Sequence, residues 1–427
     1  MRTICLPIAA CLLGMSSIPA AAQDAPVPLE LEARAEALGD IFRGSGDAET
    51  LFGSQFLAEV PPDRFAQLVV QITAQYGEFV DVERVDPRGP LLGTVYLHFE
   101  NAIASGPITL DPNPPHKIAG LMLSSFTPVD DSLADIRADL ADLPGTVSAY
   151  FAPLGRPDDA TLDIGSDRQM AIGSTFKLYV LSALGRSIEA GERDWSDVVT
   201  IDIRSFPSGT MHLWPEGAPA TLQTLATQMI AGSDNTATDV LIDVVGRRAV
   251  EAEVIASGHS RPSRLIPLLS TLELFALKGS ETNRTRWLAA DEDRRRRILA
   301  DFRDDVGGDP EKIVPPRFSS PTAIDTIEWF ASGRDIASIL GRITQLRDPV
   351  ARNILAVYPA MPVSLTEEWN YTGYKGGSEP GVLNLTWLLR DSRSEWHVLT
   401  MSWNNPDAAL EHSRLESIAQ RLMRIGR

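Results

Sequence analysis

The stretch Ala171-Ile172-Gly173-Ser174-Thr175-Phe176-Lys177 opens an apolar segment that continues as Leu-Tyr-Val-Leu-Ser-Ala-Leu. This segment predicts a long helix that begins at Ser174. Residues three positions apart share one face of a helix, so the Lys177 amine can reach the Ser174 oxygen. The amides at the helix N-terminus would face an oxyanion formed beside that serine. The stretch therefore predicts a nucleophile with a base next to it.

A lysine can act as a base only if its pKa is lowered, and both burial and a second nearby cation lower it. The chain has only five lysines, yet one stands in this stretch and another, Lys375, stands in Tyr-Lys-Gly-Gly-Ser. Where arginine is the usual cation, a lysine indicates a need for a compact amine that can lose its proton. Between the two lysines, Ser233 and Asn235 lie at a helix–loop–helix junction. They offer a hydroxyl to relay a proton and an amide to hold a substrate carbonyl.

The three segments, in this order, resemble the SxxK, SDN and KTG elements of class A β-lactamases and penicillin-binding proteins. The resemblance covers roughly residues 130 to 427. It implies an α/β domain with an antiparallel sheet flanked by helices, together with an all-helical subdomain. By position, it implies that Ser174 is the nucleophile, Lys177 the general base and Ser233 the proton relay. It further assigns substrate binding to Asn235, Lys375, Gly377 and Ser378, with the amides of Ser174 and Ser378 forming the oxyanion hole.

Two departures from the family pattern bear on activity. Gly376 stands where threonine or serine is usual, which removes a hydroxyl that would bind a carboxylate. The loop that carries the deacylating glutamate of class A enzymes is not recognisable, and Glu273 is the only acid in its neighbourhood, where a helix-surface position is expected. For a serine and a lysine at this spacing without the other motifs, the alternative is that Ser174 only caps a helix and that the Lys177 side chain is solvated. Ser233 also suits a position as a helix cap.

The segment before the motifs predicts a separate domain, residues 23–128. Helical periodicity over 29–42 and 62–76 gives way to β-type segments at 79–85, 91–99, 105–110 and 117–126, which predict an α+β unit. Phe65, Leu68, Val69 and Ile72 are expected on one helix face. This order resembles the cone-shaped steroid-isomerase-like fold. Because such a fold hosts unrelated functions, an accessory role is favoured over a second catalytic site.

The catalytic domain, residues 129–427, is expected to contain helices at about 221–231, 235–245, 325–345 and 407–424. Strands are expected at 382–390 and 396–403. Residues 279–320 are polar and irregular, which favours an insertion or a mobile lid.

The first 22 residues have the pattern of an export signal, with Arg2, an apolar run from Ile4 to Leu13 and three alanines before Gln23. The run is too short to span a bilayer, so no stable membrane anchor is expected, and anchoring through Cys11 is the minority alternative. Both cysteines, Cys5 and Cys11, lie in this signal, which excludes a disulfide or a thiolate metal site from the mature chain. A periplasmic or secreted location is expected.

The formal net charge of −18 disfavours binding to nucleic acid. The six histidines are scattered without a metal-binding spacing, so neither a metal nor a cofactor is expected. The leading hypothesis is therefore a serine hydrolase that forms an acyl-enzyme on Ser174 with a small β-lactam, ester or cell-wall peptide. A carboxylesterase and a D,D-peptidase are variants of the same site. A catalytically silent protein that binds penicillin or a cell-wall fragment is the alternative from another class.

Overall fold

A computed structural model describes residues 29–129, 131–315, 319–361 and 363–425. The chain divides into two compact units, Met1–Asp130 and Asp131–Arg427. The predicted export signal, residues 1–22, lies outside the described residues. Within the parts of the chain that are described, no helix combines the length and the apolar character needed to cross a membrane.

The first unit packs short helices against an antiparallel sheet. Its helices are α1 (Leu29–Phe42), α2 (Ala48–Leu51), α3 (Ser54–Glu59) and α4 (Pro62–Tyr76). Its strands are β1 (Phe79–Gly89), β2 (Leu92–Phe99), β3 (Ala102–Leu110), β4 (Ile118–Leu121) and β5 (Ser125–Pro128). The sheet order is β1-β2-β3-β4, with β5 also paired to β3. The likeness of this unit to the steroid-isomerase fold stays a prediction.

Helix α4 starts with a proline at its first turn, where the missing amide hydrogen has no helical partner to lose. Phe65 is buried in the unit's apolar core, with Val69 and Ile72 packed against that core. The prediction that Leu68 shares this buried face is wrong, since its side chain is 38% exposed. The helix packs through a narrower stripe, in which the Phe65 ring contacts the rings of Phe52 and Phe56 at centroid distances of 4.8 and 6.3 Å.

The second unit is built on a six-stranded antiparallel sheet in the order β12-β14-β15-β6-β7, with β13 also paired to β14. The strands of this unit are β6 (Thr146–Pro153), β7 (Leu162–Ile164), β8 (Met170–Ala171), β9 (Val198–Thr200), β10 (Pro219–Thr221), β11 (Phe330–Ala331), β12 (Tyr371–Tyr374), β13 (Gly377–Glu379), β14 (Val382–Arg390) and β15 (Trp396–Asn404). The predicted antiparallel sheet flanked by helices is confirmed.

Helices cover both faces of this sheet. They are α5 (Leu133–Ala141), α6 (Lys177–Glu189), α7 (Leu222–Ala231), α8 (Asn235–Val245), α9 (Arg247–Ala256), α10 (Thr271–Gly279), α11 (Glu281–Leu288), α12 (Glu292–Val306), α13 (Gly333–Thr344), α14 (Val350–Leu355), α15 (Val363–Thr366) and α16 (His412–Ile425). Alternation along the strands separates two cores. Trp387 and Trp403 belong to the core shared with α5 and α16, whereas Leu388 and Val398 belong to the larger core around α6.

Two expectations about this unit need correction. The predicted helix over 325–345 starts only at Gly333, because Ser332 and Asp335 form a capping box there and Phe330–Ala331 pair with β8 instead. The expectation of an irregular segment over 279–320 is wrong as far as Val306, because α11 and α12 lie there. Helix α12 is capped by Asp291 and ends at Gly307 in the left-handed conformation. Its many charged residues hid this pattern.

Candidate active site

Ser174 lies in a single 3-10 turn, Gly173–Phe176, that leads directly into α6. Two buried contacts fix the position of this turn. Thr175 Oγ1 donates a hydrogen bond of 2.7 Å to Asn384 Oδ1 of β14. The Phe176 ring stacks on Trp329 at a centroid distance of 3.9 Å. Ser174 itself remains partly exposed, so the fold fixes the turn and leaves the hydroxyl open to the solvent side.

The Lys177 side chain is completely buried one turn further on. Its Nζ lies 2.6 Å from the Ser233 carbonyl oxygen, 2.7 Å from Asn235 Oδ1 and 3.4 Å from Ser233 Oγ. Burial lowers the pKa of Lys177 to about 7, and the charges of Asp239 and Asp234 keep it from falling further. A neutral amine can give its two hydrogens to the two shortest contacts and keep its lone pair for a proton.

Ser233 lies between the two lysines in a left-handed backbone conformation, with φ of 51°. Such a conformation is uncommon for a residue other than glycine and is found in turns and at functional sites. Lys375 Nζ donates to Ser233 Oγ at 3.0 Å and to the Gly376 carbonyl at 2.5 Å. Burial, together with the neighbouring Lys177, holds the pKa of Lys375 well below its ordinary value. The hydroxyl can therefore accept from one lysine while it donates to the other.

Strand β13 passes directly against the nucleophile turn. A Cβ added to Gly377 would come within 2.1 Å of the Ile172 carbonyl and 2.4 Å of the Ser174 amide nitrogen. A Cβ on Gly173 would lie 3.1 Å from the Ser378 amide nitrogen. Only glycines permit this approach, which brings the Ser378 amide close to the turn that carries the Ser174 amide. Two amides so placed can share one oxygen atom of a substrate.

The second motif is anchored by its middle residue. Asp234 caps α8 by accepting from the Ala237 amide at 2.9 Å and also accepts from the Met211 amide at 2.8 Å. It thus ties the 205–211 loop to the site. Asn235 gives one amide hydrogen to the Phe206 carbonyl at 3.0 Å. The second hydrogen of that amide remains available for a substrate carbonyl.

Gly376 has a local packing reason for lacking a side chain. A Cβ at this position would come within 2.1 Å of the Tyr374 hydroxyl oxygen. Tyr374 is packed against the core beneath α16, and its ring contacts Trp387 at 5.0 Å. The volume that threonine or serine would need is therefore taken up by tyrosine.

The expectation that Glu273 lies on a helix surface is wrong. Its side chain is buried, and both of its oxygens accept from Arg247, at 2.6 and 2.8 Å. The Ser270 amide donates to it as well, which completes a capping box at the start of α10. With its oxygens occupied in this way, Glu273 cannot serve as the base for deacylation.

Sequence reasoning missed Asp239, which is buried on the inner face of α8 and accepts from the amides of Thr271 and Leu272 at 2.7 and 3.0 Å. Burial raises its pKa to about 6. An acid directly before the apolar run Val-Leu-Ile of α8 was the available signal, because a carboxyl at a buried helix position needs a specific partner.

One group among the described residues has metal-ligand character. Atoms of Asp391, Glu395 and His397, in the β14–β15 hairpin, lie within 4.8 Å of one another. Arg393 pairs with Asp391 at 3.2 Å and Arg156 pairs with Glu395 at 2.9 Å. The arginines already satisfy the two carboxylates, so the group is accounted for as an ion-pair cluster of the hairpin.

Comparison with known proteins bears on the catalytic unit. Residues 131–293 match the protein family named Beta-lactamase2, which is described as a beta-lactamase enzyme family. The match includes Ser174, Lys177 and Ser233 and ends before Lys375. This part of the second unit is thus similar to a family of β-lactamase enzymes. No curated protein matches the sequence.

Solved structures with similar folds include a β-lactamase from Sphaerobacter thermophilus, 20% identical, covering 69% of this chain and 98% of its own, with a TM-score of 0.46. An acyl-enzyme complex of a PBP-A mutant with penicillin G is 16% identical, covering 69% and 95%, with a TM-score of 0.46. A β-lactamase from Chitinophaga pinensis is 14% identical, covering 69% and 97%, with a TM-score of 0.46.

Proposed function

We propose that the chain is a serine hydrolase that forms an acyl-enzyme on Ser174 with amide, β-lactam or ester substrates. The observation that carries this proposal is the environment of Lys177. A fully buried lysine, with its pKa lowered to about 7, lies one turn from a partly exposed serine and shares Ser233 with a second buried lysine. A solvated helix lysine would have none of these properties, and such perturbed groups concentrate at functional sites.

The first chemical step follows from the same contacts. Ser174 Oγ attacks the carbonyl carbon, and its proton passes to the Lys177 amine, directly or through Ser233 Oγ. The carbonyl oxygen becomes an oxyanion that the amides of Ser174 and Ser378 stabilise. When the tetrahedral intermediate collapses, the bond from carbon to the leaving nitrogen or oxygen breaks. The leaving group takes the proton back through Ser233, which Lys375 orients at 3.0 Å.

Substrate binding is assigned to the remaining motif residues. The free hydrogen of the Asn235 amide would hold a substrate carbonyl. Gly377 lets strand β13 pass close to the nucleophile turn, which would place the Ser378 amide beside a substrate bound at Ser174. Lys375 would attract a substrate carboxylate, without the help of a hydroxyl at Gly376. We therefore expect weaker selection for a carboxylate than a threonine at that position would give.

Hydrolysis of the acyl-enzyme is the step with the least support. Among the described residues, no carboxylate is hydrogen-bonded to Lys177, Ser233 or Lys375, and Glu273 is occupied by Arg247. Water would have to be activated by Lys177 itself. We propose that penicillins acylate Ser174 and that the resulting acyl-enzyme is hydrolysed slowly. Activated esters with small acyl groups are expected to turn over.

We further propose that residues 129–427 carry this activity after export to the periplasm or the exterior, and that residues 23–128 modify substrate access or stability. Every motif residue lies in the second unit.

The decisive experiment is covalent labelling with a fluorophosphonate and with a penicillin, followed by peptide mass spectrometry. The adduct is expected on Ser174 and absent from Ser174→Ala. Ser196→Ala, which removes an exposed serine in a turn, is the matched control and should label like the wild type. An adduct on another serine would contradict the assignment, and no adduct with either reagent would favour the non-catalytic binding protein.

A further inference from the structure

A second cluster of buried charges lies behind β13. Lys278, at the end of α10, is completely buried and pairs with two carboxylates, Glu328 at 2.6 Å and Glu379 of β13. Both acids are buried as well, with side chains 1% and 11% exposed. None of the three residues takes part in the mechanism described above. Taking such ions out of water costs several kcal/mol for each ion, so the pairing must be specific.

The two acids belong to the two sides of the proposed oxyanion hole. Glu379 directly follows Ser378, whose amide is one of the donors. Glu328 directly precedes Trp329, whose carbonyl accepts from the Ile172 amide at 3.0 Å and whose ring stacks under Phe176 of the nucleophile turn. Lys278 therefore joins the segment that supports Ser174 to the strand that carries Ser378.

We propose that Lys278, Glu328 and Glu379 form a positioning network that sets the distance between the Ser174 and Ser378 amides and so controls the rate of acylation. This proposal rests on the proposed function, since it concerns the oxyanion hole of that reaction. Displacement of one side of the hole by even a fraction of an ångström weakens both hydrogen bonds to the oxyanion.

The network contains two carboxyl groups, those of Glu328 and Glu379, for the single ammonium of Lys278, and this imbalance makes it sensitive to pH. Burial, and then the charge of Glu328, raise the pKa of Glu379 to about 8, while Lys278 and its hydrogen bond act in the opposite direction. The two carboxylates in turn raise the pKa of Lys278. A further charged group close to the network is Arg284 of α11, which donates to the Lys278 carbonyl.

The sign of the pH effect follows from this balance. Below pH 8 the network holds one ammonium, one carboxylate and one neutral carboxyl, which are electrically balanced. Above pH 8 the shared proton leaves, and two buried carboxylates repel each other across a single ammonium. That repulsion separates β13 from the segment before β11, so acylation should slow as the pH rises through about 8.

The test measures the rate constant for acylation of Ser174 by a fluorophosphonate between pH 6 and pH 10. The wild type should lose about fivefold in rate between pH 8 and pH 9, as expected for a group of pKa near 8. Glu379→Gln and Glu328→Gln each leave one carboxylate for one ammonium. Both variants should keep the wild-type rise at low pH and lose the decline above pH 8.

The control is Asp131→Asn, which removes a buried carboxylate from a bidentate pair with Arg421 on the opposite face of the sheet. It should lower the melting temperature and keep the alkaline decline. A decline that persists unchanged in both glutamine variants would overturn the network proposal while labelling of Ser174 still supported the hydrolase. Labelling that does not require Ser174 would instead overturn the proposed function.

Discussion

The rate of Ser174 acylation is expected to fall about fiftyfold when the pH is lowered from 7 to 5. Lys177 must be neutral to accept the serine proton, and the pKa of Lys177 is lowered to about 7. With that value, about half of the molecules carry the neutral amine at pH 7 and about 1% carry it at pH 5. Because the neutral form grows as the pH rises, the rate should climb tenfold per unit below pH 6 and level off above pH 7.

The assay is stopped-flow or quenched labelling with a fluorophosphonate under single-turnover conditions, at six or more pH values between 5 and 7.5. Only the upper end of this window, near pH 7.5, approaches the pKa of about 8 of Glu379. Circular dichroism at each pH verifies that the fold is intact. The labelling reagent should have a leaving group that does not change its protonation state between pH 5 and pH 7.5, so that the reactivity of the reagent itself stays constant.

An unperturbed lysine, with a pKa of 10.5, would give a rate that rises tenfold per unit throughout this window and shows no levelling. That result would refute the assignment of Lys177 as the base. A rate that does not depend on pH would refute it as well, because the base would then be a group that does not titrate here.

The remaining predictions concern single residues and the two units. Lys177→Arg should abolish labelling although it keeps the charge, because arginine stays protonated; near-normal labelling would show that another group is the base. Glu273→Gln should destabilise the fold by roughly 3 kcal/mol in urea unfolding, since it breaks a buried bidentate pair, and should leave the acylation rate unchanged. Loss of multiple turnover in that variant would instead restore Glu273 as a base. Residues 129–427, expressed alone, should label with a fluorophosphonate and residues 23–128 should not; hydrolase activity in the shorter piece would contradict the division.

The three motifs could be found from the sequence because each is local. The Ser174-to-Lys177 spacing, the Ser233 junction and the lysine before two glycines specify their chemistry within a few residues. The structure adds how they meet. Contacts such as the 3.0 Å bond from Lys375 to Ser233 join residues that are 142 positions apart, and no local pattern predicts such a distance.

Two predictions from the sequence, for helix α12 and for Glu273, were wrong because local composition does not show which charged residues form ion pairs or become buried. Helix α12 has few apolar residues. Ile298 and Leu299 pack into the core, and ion pairs such as Arg296 with Glu251 at 3.0 Å add to this contact. Its cap residues, Asp291 and Gly307, were visible signals that the polar composition obscured. Glu273 shows the reverse case, because a long-range partner, Arg247, buries an acid that looks solvated along the chain.

The buried lysines offer the one sequence signal that reaches beyond the motifs. Of the five lysines, Lys177, Lys278 and Lys375 are almost fully buried, and each is surrounded by oxygen atoms from distant segments. A guanidinium stays charged, so it cannot replace an amine that must lose a proton, as Lys177 must. Lys278 differs from the other two, because Glu328 and Glu379 raise its pKa and keep it charged. In a chain that otherwise uses arginine for its cations, the rarity of lysine therefore points to Lys278 as well, but as the fixed cation of the network behind the oxyanion strand.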